Sequence, residues 1–210
     1  MKQLSTVLDA IRDAVRVCMN LAAKHLHAIS GGRITPNFIT LLGLFMHIPI
    51  AWLIAMGYFG YAALLLVFFG LFDALDGALA RLQGKAGNAG MLLDASTDRM
   101  KEVLLYCGTA FALVSMDQAY WAVWAVAACG ASICVSYVKA KGETAVAGGK
   151  LTATQVNRLF QDGLGRFEVR MFLLIIGLLL HELGAILVII TALSAYTAFE
   201  RLIKITRKLS

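Results

Sequence analysis

Four aspartates, Asp73, Asp76, Asp94 and Asp98, sit in "LFDALDGALARLQGKAGNAGMLLDASTDRM", a stretch flanked by strongly apolar sequence. An ionised carboxylate in hydrocarbon is costly, so such residues usually serve a function. Asp73 and Asp76 are three apart and Asp94 and Asp98 four apart, so each pair shares one helix face. Gly77 and Ala80 leave space beside the first pair, and Gly90 lies one turn before the second. The glycines of "LQGKAGNA" let the chain reverse, so the two faces can converge. Four such charges need strong counter-charge, because like charges and burial each disfavour ionisation. An all-oxygen set without nearby His or Cys suits Mg²⁺ or Mn²⁺ rather than zinc or copper. Two divalent cations bridged by carboxylates stabilise a phosphoryl group under attack. A divalent-cation transporter would also gather carboxylates, but no acidic path continues through "YFGYAALLLVFFGLF".

The elements that must hold these residues read as membrane helices. Of 210 residues, 60% are hydrophobic and 15% charged, against about 25% charged in soluble domains. The mean hydropathy is +0.75. Windows of helix-spanning length predict an all-α, polytopic fold with six transmembrane helices, at roughly 38–57, 60–82, 90–115, 119–140, 168–182 and 184–203. Before them, Leu4, Val7, Leu8, Ile11, Val15, Cys18, Met19, Ala22 and Leu26 recur at helical spacing. Residues 1–33 therefore read as an amphipathic juxtamembrane helix on the cytoplasmic surface, with packing against the bundle as the alternative. Acids and bases run through its first 28 residues, so no cleavable leader is expected. The whole chain, 1–210, reads as one domain, with 38–203 as the bundle.

All 19 Lys and Arg fall within 2–33, 81–101, 139–170 and 201–208, and the three other connections hold none. This alternation predicts both termini and the aspartates on the cytoplasmic side of the cell membrane. The net charge of +6 then reflects topology and attraction to anionic lipid, not nucleic-acid binding. Cys18, Cys107, Cys129 and Cys134 show no metal or redox spacing. Gly31 and Gly32 end the surface helix, Thr35 can cap the first span, and Pro36 takes its first position. Pro49 is expected to kink or loosen that span.

The pattern Asp73-x2-Asp76-Gly77-x2-Ala80-Arg81-x8-Gly90-x3-Asp94-x3-Asp98 meets every fixed position of the CDP-alcohol phosphotransferase (phosphatidyltransferase) signature, which the chain therefore resembles. Six spans, a surface helix and "TPNFIT" at the entrance of the first are also similar to that family. The resemblance implies transfer of a phosphatidyl group from CDP-diacylglycerol to a polar alcohol, with release of CMP. It implies that Asp73, Asp76, Asp94 and Asp98 bind two divalent cations, with Asp98 also the general base. Gly77, Ala80, Arg81 and Asp73 would then bind the nucleotide, and the protein would be a homodimer.

"LLDASTDRMKEVLLYCG", with Ala95 where glycerol-phosphate enzymes usually carry proline, and "SYVKAKGE" at 136–143 resemble the phosphatidylinositol-phosphate synthase branch. That branch implies a phosphorylated polyol, inositol phosphate foremost, with Lys139, Arg166 and Arg201 binding its phosphate. Bases at cytoplasmic helix ends are required for orientation in any case. "GRFEVR" departs from the branch in lacking a proline and in spacing Arg166 and Arg170 by four. Glycerol phosphate or another alcohol is the alternative acceptor.

Overall fold

The structure of the protein, a computed structural model, describes residues 2–146 and 165–209, and the side chains of 13–145 and 165–208. The expectations resting on the side chains of Leu4, Val7, Leu8 and Ile11 lie outside the described residues, as does the polar connection 147–164. Every regular element among the described residues is helical: α1 (Lys2–Ser30), α2 (Pro36–Ala55), α3 (Phe59–Gly70), α4 (Phe72–Leu82), α5 (Asn88–Ser115), α6 (Ala119–Val146), α7 (Phe167–Leu180) and α8 (Leu183–Leu209).

Four stretches are long and apolar enough to cross a membrane: Pro36–Ala55, Phe59–Leu82, Ala119–Ala145 and Leu183–Lys208. The two other expected spans are helices as well. One lies in α5, whose 28 residues extend about 42 Å but carry five charged side chains between Asp94 and Glu102. The other is α7, whose 14 residues reach only about 21 Å. The second span is not continuous, because α3 ends at Gly70 and α4 starts afresh at Phe72. Glycine is a weak helix former, and the Leu71 amide bonds back three residues, to the Phe68 carbonyl. Pro49, in contrast, lies within α2 without ending it.

Large apolar side chains cover much of the surface, among them Phe45, Trp52, Leu64, Val126 and Phe172 at 58% exposure or more. In water such a surface would aggregate; in lipid it is the solvated face. Tyr58, Tyr61 and Tyr120 are exposed beside the base-free connections, the position of an interfacial aromatic belt. The protein is a multi-pass membrane protein.

The chain packs as two compact units, residues 1–50 with 64–104, and 51–63 with 105–210. In the first, α1 lies on α4. Ala23, Ile39, Ala78 and Leu79 are buried together, with Leu26, Ile34, Phe72 and Leu75 packed around them. Of the described part of the α1 stripe, Val15, Met19, Ala22 and Leu26 are half-buried but Cys18 is exposed, and Val17, Leu21 and Ile29 off the stripe stay exposed too. The helix expected at the membrane surface therefore packs against α4, the alternative that its stripe left open. Gly31 and Gly32 end it in left-handed conformations, with the Gly32 amide bonding the His27 carbonyl at 3.0 Å. Thr35 Oγ1 then accepts from the Phe38 amide at 3.3 Å, capping α2 ahead of Pro36.

In the second unit α8 packs on both α6 and α7. Small residues set these contacts, as expected where apolar surface gains little by leaving lipid. A Cβ at Gly177 would lie 3.0 Å from Ile186, and one at Gly184 would lie 2.7 Å from the Trp121 ring. Tyr106 and Ser132 are buried and share a hydrogen bond of 3.1 Å between α5 and α6.

Candidate active site

Asp73 and Asp76 stand in the first two turns of α4, and Asp94 and Asp98 on the first half of α5, all in the first unit. One carboxylate oxygen each from Asp73, Asp76 and Asp94 lies within 4.8 Å of the others. Asp76 is 6% exposed, and its Oδ2 accepts from the Thr40 hydroxyl at 2.5 Å. Thr40 Oγ1 is also 3.2 Å from the Pro36 carbonyl. A hydroxyl has one proton to give, and the charged, nearer acceptor takes it. Asp94 Oδ1 is buried and has no hydrogen-bond partner among the described residues.

Asp98 is differently engaged. Lys101 Nζ donates to Asp73 Oδ1 at 2.5 Å and to Asp98 Oδ1 at 3.4 Å. Arg99 approaches Asp98 Oδ2 at 3.7 Å and pairs more closely with the buried Glu102, at 2.8 Å. The structure thus brings three aspartates to one point and holds the fourth in a cationic clasp that also includes Asp73. Lys101 is 1% exposed and was missed as a site residue, because its base reads as a marker of orientation. The available signal was its register: Asp94, Asp98 and Lys101 fall at i, i+4 and i+7, on one helix stripe.

The residues present fit a divalent cation. The donor set is all oxygen, three carboxylates converge, and Asp94 offers a buried oxygen that no protein group satisfies. Next to them a cavity of about 440 Å³ is lined by Asn37, Thr40, Gly77, Ala80, Arg81 and Gly90, together with Asp76 and Asp94. A second, of about 330 Å³, lies between α1 and α4, lined by Arg16, Met19, Asp73, Gly77 and Arg81. Gly77 and Arg81 therefore face both. Both volumes are in the range of small-molecule sites.

The other three candidate residues belong to the second unit. Lys139 is exposed on α6 and pairs with Glu143 at 3.8 Å. Arg166 precedes α7 and pairs with Glu168 at 3.3 Å. Arg201 on α8 is 6% exposed and donates to the Val135 carbonyl at 3.3 Å. It lies within electrostatic range of Arg166 and of Arg170, which sequence reasoning had not singled out as a site residue. Arg170 is 1% exposed and donates to the Gly165 carbonyl, while the Gly165 amide donates to Thr197 at 2.8 Å. A Cβ at Gly165 would come within 2.7 Å of the Leu193 carbonyl, so Gly165 rests directly on the α8 backbone.

Residues 33–199 match the CDP-alcohol phosphatidyltransferase family. The chain is 34% identical over 180 residues to the phosphatidylinositol phosphate synthase of Corynebacterium glutamicum, covering 81% of this chain and 77% of the relative. It is also similar to the crystal structure of Mycobacterium tuberculosis phosphatidylinositol phosphate synthase in complex with manganese and citrate, with a TM-score of 0.76 at 25% identity over 90% of this chain and 88% of that one. The same enzyme with CDP-DAG bound superposes with a TM-score of 0.75 at 24% identity, over 89% and 92% of the two chains, and so shares the fold. Most of the chain, including every aspartate of the site, lies inside the matched region, and the protein belongs to the CDP-alcohol phosphatidyltransferase family.

Proposed function

We propose that the protein transfers the phosphatidyl group of CDP-diacylglycerol to inositol phosphate, with release of CMP, at the cytoplasmic face of the cell membrane. The observation that carries this is the convergence of Asp73, Asp76 and Asp94 within 4.8 Å beside a cavity bounded by Gly77 and Arg81. The acceptor follows from the 34% identical synthase, over most of both chains. Six spans with both termini cytoplasmic are supported by the distribution of bases and by the length of α5, while α1 combines packing on α4 with exposed apolar residues suited to the lipid interface. A homodimer is part of the same reading.

In this reading Asp73, Asp76, Asp94 and Asp98 hold two divalent cations, Mg²⁺ or Mn²⁺. When bound, the cations neutralise charge on the donor's pyrophosphate and stabilise CMP as it leaves. The remaining work belongs to the chain. Gly77 and Ala80 keep room for the nucleotide, and Arg81, which faces both cavities, holds its phosphates. Asp98 takes the proton of the attacking hydroxyl, for which it must be within hydrogen-bond reach. Lys101 and Arg99 fix its two oxygens. Thr40 orients Asp76. The bond from the acceptor oxygen to the lipid-side phosphorus forms as the bond to CMP breaks. Lys139, Arg166 and Arg201 bind the acceptor's phosphate, and the nearness of Arg166 and Arg170 to Arg201 supports this, since a dianion relieves the repulsion they exert on it.

The test is CMP release by the purified protein in detergent with CDP-diacylglycerol and Mg²⁺, offering inositol phosphate, glycerol phosphate, inositol and serine separately. CMP formation that requires inositol phosphate and vanishes in Asp98→Asn is the expected result. Dependence on a different alcohol would overturn the acceptor. Metal binding without CMP release from any acceptor would instead favour cation transport.

A further inference from the structure

We propose that Lys101 is an internal counter-ion of the carboxylate cluster: its ammonium bridges Asp73 and Asp98 in the metal-free protein and competes with the divalent cation for Asp73. This rests on the reading that the cluster binds such a cation.

Lys101 is 1% exposed, so its charge has no route to bulk water and must be compensated inside the protein. The two nearest carboxylate oxygens are Asp73 Oδ1 at 2.5 Å, on α4, and Asp98 Oδ1 at 3.4 Å, on α5. Asp73 also belongs to the trio that converges within 4.8 Å. One carboxylate is therefore shared between the lysine and the point where a cation fits. Helix α2 makes space for this arrangement at Gly43, where a Cβ would stand 3.9 Å from both Cε and Nζ of Lys101 and 3.6 Å from Phe72 Cβ.

Two consequences follow from this sharing. Without metal, the ammonium offsets part of the repulsion among four carboxylates and ties α4 to α5. With metal, the same positive charge lies close to a dication and opposes its binding. Lys101 thus keeps the empty site assembled at the expense of cation affinity. It acts through Asp73 and Asp98 and is a positioning residue.

An ordinary structural ion pair would show the first effect and not the second. The experiment compares wild type, Lys101→Met and Lys101→Gln, each purified in detergent, stripped with EDTA and titrated with Mn²⁺. Free Mn²⁺ is counted by its paramagnetic resonance signal, and thermal unfolding is followed with and without the metal. The expected result is a lower Tm than wild type for the stripped variants, a gap that narrows on adding Mn²⁺, and a Mn²⁺ Kd lower by about tenfold or more. Lys101→Gln keeps N–H donors for both aspartates without the charge, and carries the same expectation if Lys101→Met does not fold. A Kd that is unchanged or weaker, or a Tm gap that Mn²⁺ leaves in place, would overturn the proposal. Wild-type protein that binds no Mn²⁺ would remove the cation reading and this inference together.

Discussion

Replacing Thr40 by Val removes one hydroxyl while nearly preserving volume, and it isolates how much the orientation of Asp76 contributes. Both residues are buried, at 4% and 6% exposure, and the hydroxyl donates to Asp76 Oδ2 at 2.5 Å. A hydrogen bond to a charged group is worth about 1.5–3 kcal/mol. That corresponds to roughly 10- to 150-fold in an equilibrium constant, overlapping the 10- to 100-fold in metal affinity typically lost with an outer-shell partner of a ligand. We therefore expect the Mn²⁺ Kd of Thr40→Val to rise by about 10- to 100-fold, with CMP release recovering at high metal. Thr40→Ser keeps the hydroxyl and should stay within a few-fold of wild type. The assay is a Mn²⁺ titration of the EDTA-stripped protein, run beside CMP release at increasing metal. If Thr40→Val binds Mn²⁺ within twofold of wild type, either Asp76 is not a ligand or its orientation is set elsewhere.

Gly77→Ala should not lower Tm, because Gly77 is inside α4 and the new methyl meets only Arg81 Nη1, at 3.5 Å, yet it should raise KM for CDP-diacylglycerol several-fold by narrowing both cavities. Gly108→Ala places its Cβ 3.0 Å from the Ala51 carbonyl carbon, where only backbone can yield. A loss of about 1–3 kcal/mol follows, read as a fall in Tm of the detergent-solubilised protein. Arg201→Gln should raise KM for a phosphorylated acceptor far more than for CDP-diacylglycerol; equal effects on both would place Arg201 outside the acceptor site.

The geometry of Asp73, Asp76 and Asp94 was legible because helical spacing alone puts polar residues on one face, and because hydrocarbon makes four carboxylates costly wherever they lie. The cap at Thr35 and Pro36 was legible for the same local reason. Lys101 and Arg170 were not, since both fall in groups of bases that membrane orientation already explains. Only the packing of α4 and α2 around α5, or of Gly165 against α8, buries them. The split of Asp98 from the other three aspartates was hidden too. Its partners Lys101 and Arg99 lie on its own helix, and that Lys101 also reaches Asp73 of α4 follows only from the packing of the two helices.

The interruption between α3 and α4 has a consequence for adaptation to different membranes. Through Leu71 the chain takes a tightened turn of the 3₁₀ type, about 20° per residue further round than an α-helix. A Cβ at Gly70 would touch nothing within 4 Å, so this glycine marks a soft point rather than a close approach. The apolar half of the stretch, Phe59–Gly70, and the carboxylate-bearing half, Phe72–Leu82, are joined but not in one register. A residue gained or lost in the apolar half can be absorbed at this joint. Matching a thicker or thinner bilayer, which costs fractions of a kcal/mol per Å, then becomes separable from aiming Asp73 and Asp76.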